Sequence, residues 1–148
     1  MSGRPSWGTT QPSVPGSQRS FSTRALGLTA GIPTSIISHK TRHPFLGEQY
    51  DLHAAASAWL EQQGFFDAAR LGLPRENVFF ELTKPAKLAR IGQCGCTHFI
   101  DDLPEFLGEA DFPPAVQRIL FDPNQLYAGE QRFHRIRDWA DARRIFAC

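Results

Sequence analysis

The chain has 148 residues, of which 41% are hydrophobic and 21% charged, with a formal net charge of +1. That length suits one domain with a real core and is short for two. The near-neutral balance removes any global case for nucleic acid or an anionic membrane as partner, and no apolar run approaches the roughly 20 residues that cross a bilayer. Three cysteines, two of them two residues apart, make a poor disulfide framework and suit a reducing, cytoplasmic setting.

Residues 1–24, MSGRPSWGTTQPSVPGSQRSFSTR, are dense in Ser, Pro, Gly and Thr and contain Arg but no acidic residue. No helical or strand period fits them, so they read as a disordered or non-native tail ahead of an α/β domain over 25–148. The Arg- and Ser-rich composition also suits a transit peptide, but no amphipathic stripe accompanies it. Ser22 to Ala30 reads as the end of a helix that Gly31 stops.

Ile32 to Ser38 is expected to be a short buried strand, followed by the polar, basic loop HKTRHPFLGEQ. Asp51 caps a predicted helix to about Gln63, whose apolar positions Leu52, Ala55, Ala56, Trp59 and Leu60 share one face. Asp67 to Leu73 reads as a turn or short helix closed by Pro74. Asn77 to Leu82 is a second strand, Thr83 caps a helix to Gln93, and Cys96 to Ile100 is a third strand ending at two aspartates. Leu103 to Gly108 is a short helix, Val116 to Phe121 a fourth strand, and Arg137 to Phe146 a closing helix.

Strand and helix patterns alternate, and the strands are short, apolar runs rather than alternations of polar and apolar residues. Both features predict an α/β domain with a mostly parallel sheet covered on both faces. Ligand sites in such sheets lie beyond the carboxyl ends of the strands. Ser38 and the Asp101–Asp102 pair sit at such ends, and Lys84 opens the helix after another.

Asp102 has a structural reading as cap of the helix at Leu103, with Glu105 completing a capping box. Asp101 is not explained that way. Adjacent carboxylates repel, and a cation such as Mg²⁺, which prefers carboxylate, water and phosphate oxygens, removes the conflict. Ser38 is followed by His39 and Lys40, and a hydroxyl beside positive charge suits a phosphoryl oxygen. Arg42 and His43 read as a solvated basic turn. Lys84 and Lys87, in the first turns of a helix, could neutralise a phosphate or a buried carboxylate, though each taken singly reads as a surface lysine. Cys94, Cys96 and His98 form C-x-C-x-H, but they alternate into an apolar strand and read as buried and unliganded rather than as a zinc site. No phosphate-binding loop, dinucleotide fingerprint or nucleophile elbow is present.

A strand ending in Ser (IISHKT), a helix starting with Lys (TKPAK) and a strand ending in Asp-Asp (HFIDD) together resemble motifs two, three and four of the haloacid dehalogenase (HAD) superfamily, here over about Leu26 to Phe146. The segments running from ISHKTRHPFLGEQ to LEQQGFF, CTHFIDDLPEFL and RILFDP resemble family members without a large cap. The resemblance implies a three-layer Rossmann-like sandwich and a magnesium-dependent phosphohydrolase acting on a phosphorylated small molecule. It also implies roles. Ser38 would hold the phosphoryl group with help from His39 and Lys40. Lys84, or Lys87 as second choice, would stabilise negative charge, and Asp101 and Asp102 would hold Mg²⁺.

The chain departs from that pattern in one respect. The superfamily begins with a strand carrying Asp-x-Asp, whose first aspartate is the nucleophile, and this sequence has no aspartate before Asp51. The expectation is an inactive family member lacking its central strand, as truncation or frame shift of a longer gene would leave it. The bare inner edges could then accept a strand from a partner or from a second copy.

Overall fold

The computed structural model describes residues 32–146. The tail and the helix expected over 22–30 lie outside them. Five strands follow in chain order: β1 (Ile36–His39), β2 (Val78–Glu81), β3 (His98–Asp101), β4 (Gln117–Phe121) and β5 (His134–Ile136). The helices are α1 (Leu52–Gln62), α2 (Lys84–Gln93), the single turn α3 (Pro104–Leu107) and α4 (Trp139–Phe146), with a 3₁₀ turn at Arg75–Asn77. The chain is α/β, and every strand pair is parallel. β1 pairs with β2, and β3, β4 and β5 pair in that order, as two separate sheets.

Capping chemistry explains the two longer helices. The Asp51 carboxylate accepts from the backbone N–H of His53 and Ala54, and Thr83 Oγ1 accepts from Ala86 N–H, with Pro85 in the first turn of α2. Both caps fall where the sequence places them. Strand bounds shift, however. β1 begins at Ile36 rather than Ile32, because the chain bends at Ile32 and Thr34 Oγ1 donates to Ile32 O (3.1 Å), a local turn that competes with pairing. β3 starts at His98, so Cys94 is the exposed residue that ends α2 and not part of a buried strand. α4 begins at Trp139, two residues later than expected, because Asp138 and Asp141 form local hydrogen bonds at its entry.

Each sheet is covered on both faces. On β1–β2, Ile36, Val78 and Phe80 pack with Leu60, Phe65 and Leu73 around α1, whereas Ile37 and Phe79 face α2 and join Leu88 and Ile91. On the other sheet, Phe99 and Leu120 face α2 and α3 in that same cluster, while Ile100, Ile119 and Ile136 pack against Trp139 and Ala142 of α4. Phe99, Phe106 and Phe112 meet with ring centroids 5.8–6.0 Å apart. One core therefore runs under α2 from Ile37 of β1 to Phe99 of β3.

The two sheets share a direction. α2 leaves the carboxyl end of β2 and delivers the chain to the amino end of β3. Its first turn touches the far end of β3, where Lys87 Nζ lies 2.7 Å from Asp101 Oδ2. The carboxyl ends of β1, β2 and β3 thus lie at one end of the molecule. None of the described helices is long and apolar enough to cross a membrane.

Candidate functional site at the strand ends

Lys40 N–H donates to Glu81 O (2.9 Å), and His39 Nε2 bonds Leu82 O (3.1 Å), which ties the end of β1 to the end of β2. Ser38, the penultimate residue of β1, is half-buried on the α1 face. Lys40 O bonds His53 Nε2 (2.7 Å), so the loop after β1 is fixed to α1 at its start. The loop is closed at its far end by Arg42 O, which accepts from Leu52 N–H, and by the Arg42–Asp51 ion pair at 3.3 Å. Between these ties Phe45 and Leu46 are each 89% exposed.

The structure brings Lys87 and Asp101 together. Both side chains are about nine-tenths buried, and the ammonium also lies 3.8 Å from the Phe106 ring centroid and 5.3 Å from that of Phe99. A lysine in that position shares its charge with a carboxylate and two aromatic faces. Lys84, one turn earlier, is exposed and pairs with Glu109 at 3.2 Å. The two lysines have separate settings. Lys84 opens α2 at the surface, and Lys87 lies on the face that carries Leu88 and Ile91 into the core.

The aspartates divide their roles differently from the capping-box expectation. Leu103 is the residue before α3 and no side chain caps it. The carboxylate that reaches this turn is Asp101, whose Oδ1 accepts from Leu103 N–H at 3.0 Å. Asp101 thus spends one oxygen on the turn and the other on Lys87, because its side chain points to the α2 face while Asp102 follows outside the strand. Among the described residues, no group of three His, Cys, Asp or Glu side chains converges to hold a metal ion. Asp101 and Asp102 do not by themselves fit a resident Mg²⁺, since any cation taking Asp101 Oδ2 competes with the lysine. His98 of the C-x-C-x-H run is half-buried with its ring edge-on to Phe146 at 5.0 Å, and its Nδ1 bonds Thr97 Oγ1 at 2.9 Å.

Sequence reasoning missed Asp122, which is 1% exposed just past β4. Its Oδ1 accepts from Leu126 N–H (2.8 Å) and its Oδ2 from Tyr127 N–H (3.1 Å), while Arg135 Nη1 lies 3.7 Å away and donates to Tyr127 O at 2.7 Å. An Asp directly after the apolar run RILF is the same signal that singled out Asp101. Here it builds the β4–β5 connection. A cavity of about 350 Å³ lined by Pro85, Leu88, Ala89, Gly92, Asp111 and Pro113 lies against α2, and none of Ser38, Lys87, Asp101 or Asp102 lines it.

No protein-family model matches the chain, no curated protein is similar to it, and no solved structure is similar to it.

Proposed function

We propose that this chain is a HAD-like α/β domain that binds a phosphate group at the shared carboxyl ends of β1 and β3 and does not turn phosphate esters over. One observation carries the reading. The residues that resemble three successive HAD motifs, Ser38, Lys87 and Asp101, sit in chain order at one end of parallel strands joined by α2. The Ser38 hydroxyl and the exposed Lys84, which pairs with Glu109, would offer a donor and positive charge to an anion, while the Lys87 ammonium is balanced by Asp101. Turnover needs an activated nucleophile; among the described residues no hydrogen bond joins the Ser38 hydroxyl to a base, and Lys87 is held as the ion-pair partner of Asp101. Magnesium, on this reading, joins only together with phosphate, because it commonly takes one or two carboxylates with phosphate and water oxygens.

Titration calorimetry of the purified chain with inorganic phosphate, with and without Mg²⁺, tests the reading. Binding is expected, about tenfold weaker in Ser38→Ala, the size of one lost hydrogen bond. Hydrolysis of p-nitrophenyl phosphate is expected to stay at background. Magnesium-dependent turnover that is abolished by Asp101→Asn would overturn it, as would the absence of any phosphate binding.

A strand-accepting interaction protein is the second reading. It is favoured by β1 and β3, which each pair on one side only among the described residues.

A further inference from the structure

The cavity of about 350 Å³ beside α2 lies between that helix and the loop that follows α3. Pro85, Leu88, Ala89 and Gly92 form its helical wall, and Asp111 and Pro113 form the other. Leu88 is buried at 8% exposure, whereas Pro85, Ala89, Gly92 and Asp111 are exposed, so the cavity opens to solvent. Both walls are fixed. Lys84, just before Pro85, meets Glu109 Oε1 at 3.2 Å and so ties α2 to the loop. Phe112, 5% exposed between Asp111 and Pro113, packs on Phe99 and Phe106. Its N–H donates to Glu109 O, and Val116 N–H donates to Pro113 O, each at 3.1 Å. Walls held this way are pre-formed, as those of ligand pockets usually are.

The chemistry of the lining is one-sided. Pro85 and Pro113 have no backbone N–H. The amides of Leu88, Ala89 and Gly92 lie inside α2 and serve its own hydrogen bonds. Asp111 brings the only ionisable side chain of the lining, and none of the six side chains is a donor. Among the described residues the Asp111 carboxylate has no hydrogen-bond or ion-pair partner. Apolar walls with one free carboxylate and no donor side chain disfavour an anion and suit an ammonium on an apolar body.

We propose that this cavity binds a small organic amine, with its apolar body against Leu88, Ala89 and the two prolines and its ammonium on the Asp111 carboxylate. Its volume, about 350 Å³, lies at the low end of the range for ligand pockets, which keeps the ligand small. None of Ser38, Lys84, Lys87, Asp101 and Asp102 lines the cavity, so the site is independent of phosphate binding at the strand ends.

NMR titrations of the ¹⁵N-labelled full chain at pH 7 test this with benzylamine, benzyl alcohol and benzoate, which share a ring and differ in charge. Benzylamine is expected to give saturable shifts at the amides of Leu88, Ala89, Gly92 and Asp111. It should bind about three- to fivefold more tightly than benzyl alcohol, the size of one exposed ion pair. Benzoate is expected to leave those amides unshifted. Asp111→Asn loses no partner within the chain, and it should bring benzylamine to the affinity of the alcohol. Gly92→Ala favours the helix and places a Cβ 3.8 Å from Pro113 Cγ, an ordinary contact that narrows the cavity. It should weaken both ligands. The absence of saturable shifts with benzylamine overturns the proposal. So does equal affinity for amine and alcohol, or an amine preference that survives Asp111→Asn, or unchanged binding of both ligands in Gly92→Ala. Should Asp111→Asn not fold, the order amine, alcohol, benzoate in the wild-type chain decides together with Gly92→Ala.

Discussion

Lys87 Nζ reaches Asp101 Oδ2 at 2.7 Å from one side and the ring of Phe106 at 3.8 Å from another, so one ammonium joins the start of α2 to the end of β3 and to α3. Neither group of the pair is left to water. Removing one partner strands the other, which costs about 3–5 kcal/mol in buried pairs, whereas replacing both together costs far less. Lys87→Met is therefore expected to lower unfolding stability by about that amount in urea. The double variant Lys87→Met/Asp101→Asn should recover more than half of the loss. Additive losses would show that the two groups act independently.

Asp122 gives a second test. Its carboxylate accepts from Leu126 and Tyr127 N–H and faces Arg135 while 1% exposed. Asp122→Ala leaves two backbone donors and a guanidinium short of their acceptor, an expected loss of about 3 kcal/mol. Exchange protection should fall first at Leu126 and Tyr127. A change under about 0.5 kcal/mol, the ordinary range for a surface site, would deny the carboxylate this role.

Much of the α/β pattern was legible because it rests on short-range chemistry. Asp51 and Thr83 precede helical apolar stripes and do cap them, and the apolar runs around Phe79, Phe99 and Ile119 are strands. What escaped depends on partners distant in sequence. β5 has three residues, two of them polar, and is a strand because β4 pairs with it. Lys87 reads as a surface lysine until Asp101 and Phe106 close around it. Ile32 to Ser38 reads as one strand, but Pro33 and the Thr34 turn hold its first four residues out of the sheet. Ser38 and Asp101 are singled out as candidates by their place at strand ends, by their chemistry and by the motif resemblance. Their sharing one end of the fold follows from α2 running back across β1, which no local window contains.

Cysteine chemistry separates Cys94 from Cys96. Burial pushes the Cys96 thiol up, and the neighbouring Cys94 pushes it the same way, while Cys94 itself is exposed at the end of α2. The thiolate is the reactive form, so both access and ionisation slow Cys96. Iodoacetamide at pH 8 is expected to modify Cys94 at least about tenfold faster, as read by peptide mass spectrometry. In urea the two rates should converge. Equal rates in the folded chain would contradict the burial of Cys96.

Acid should weaken the fold through carboxylates held in their charged form. Glu130 is held down to about 2 by the Arg132 guanidinium, whose Nη2 lies 2.6 Å from Oε2, and by Arg132 N–H. Asp51 is lowered in the same sense, chiefly by the N–H of Ala54 in the first turn of α1. A folded-state value below the ordinary one of 4.5 means that Glu130 adds stability above that pH and loses it as pH falls from there through about 2. An NMR titration of the Glu130 carboxyl should therefore show a midpoint near the lower figure in the wild-type chain. Arg132→Gln removes the guanidinium and should bring the midpoint up toward the ordinary value, with a shallower loss of stability on acidification. An unchanged midpoint in that variant would assign the depression to backbone donors instead.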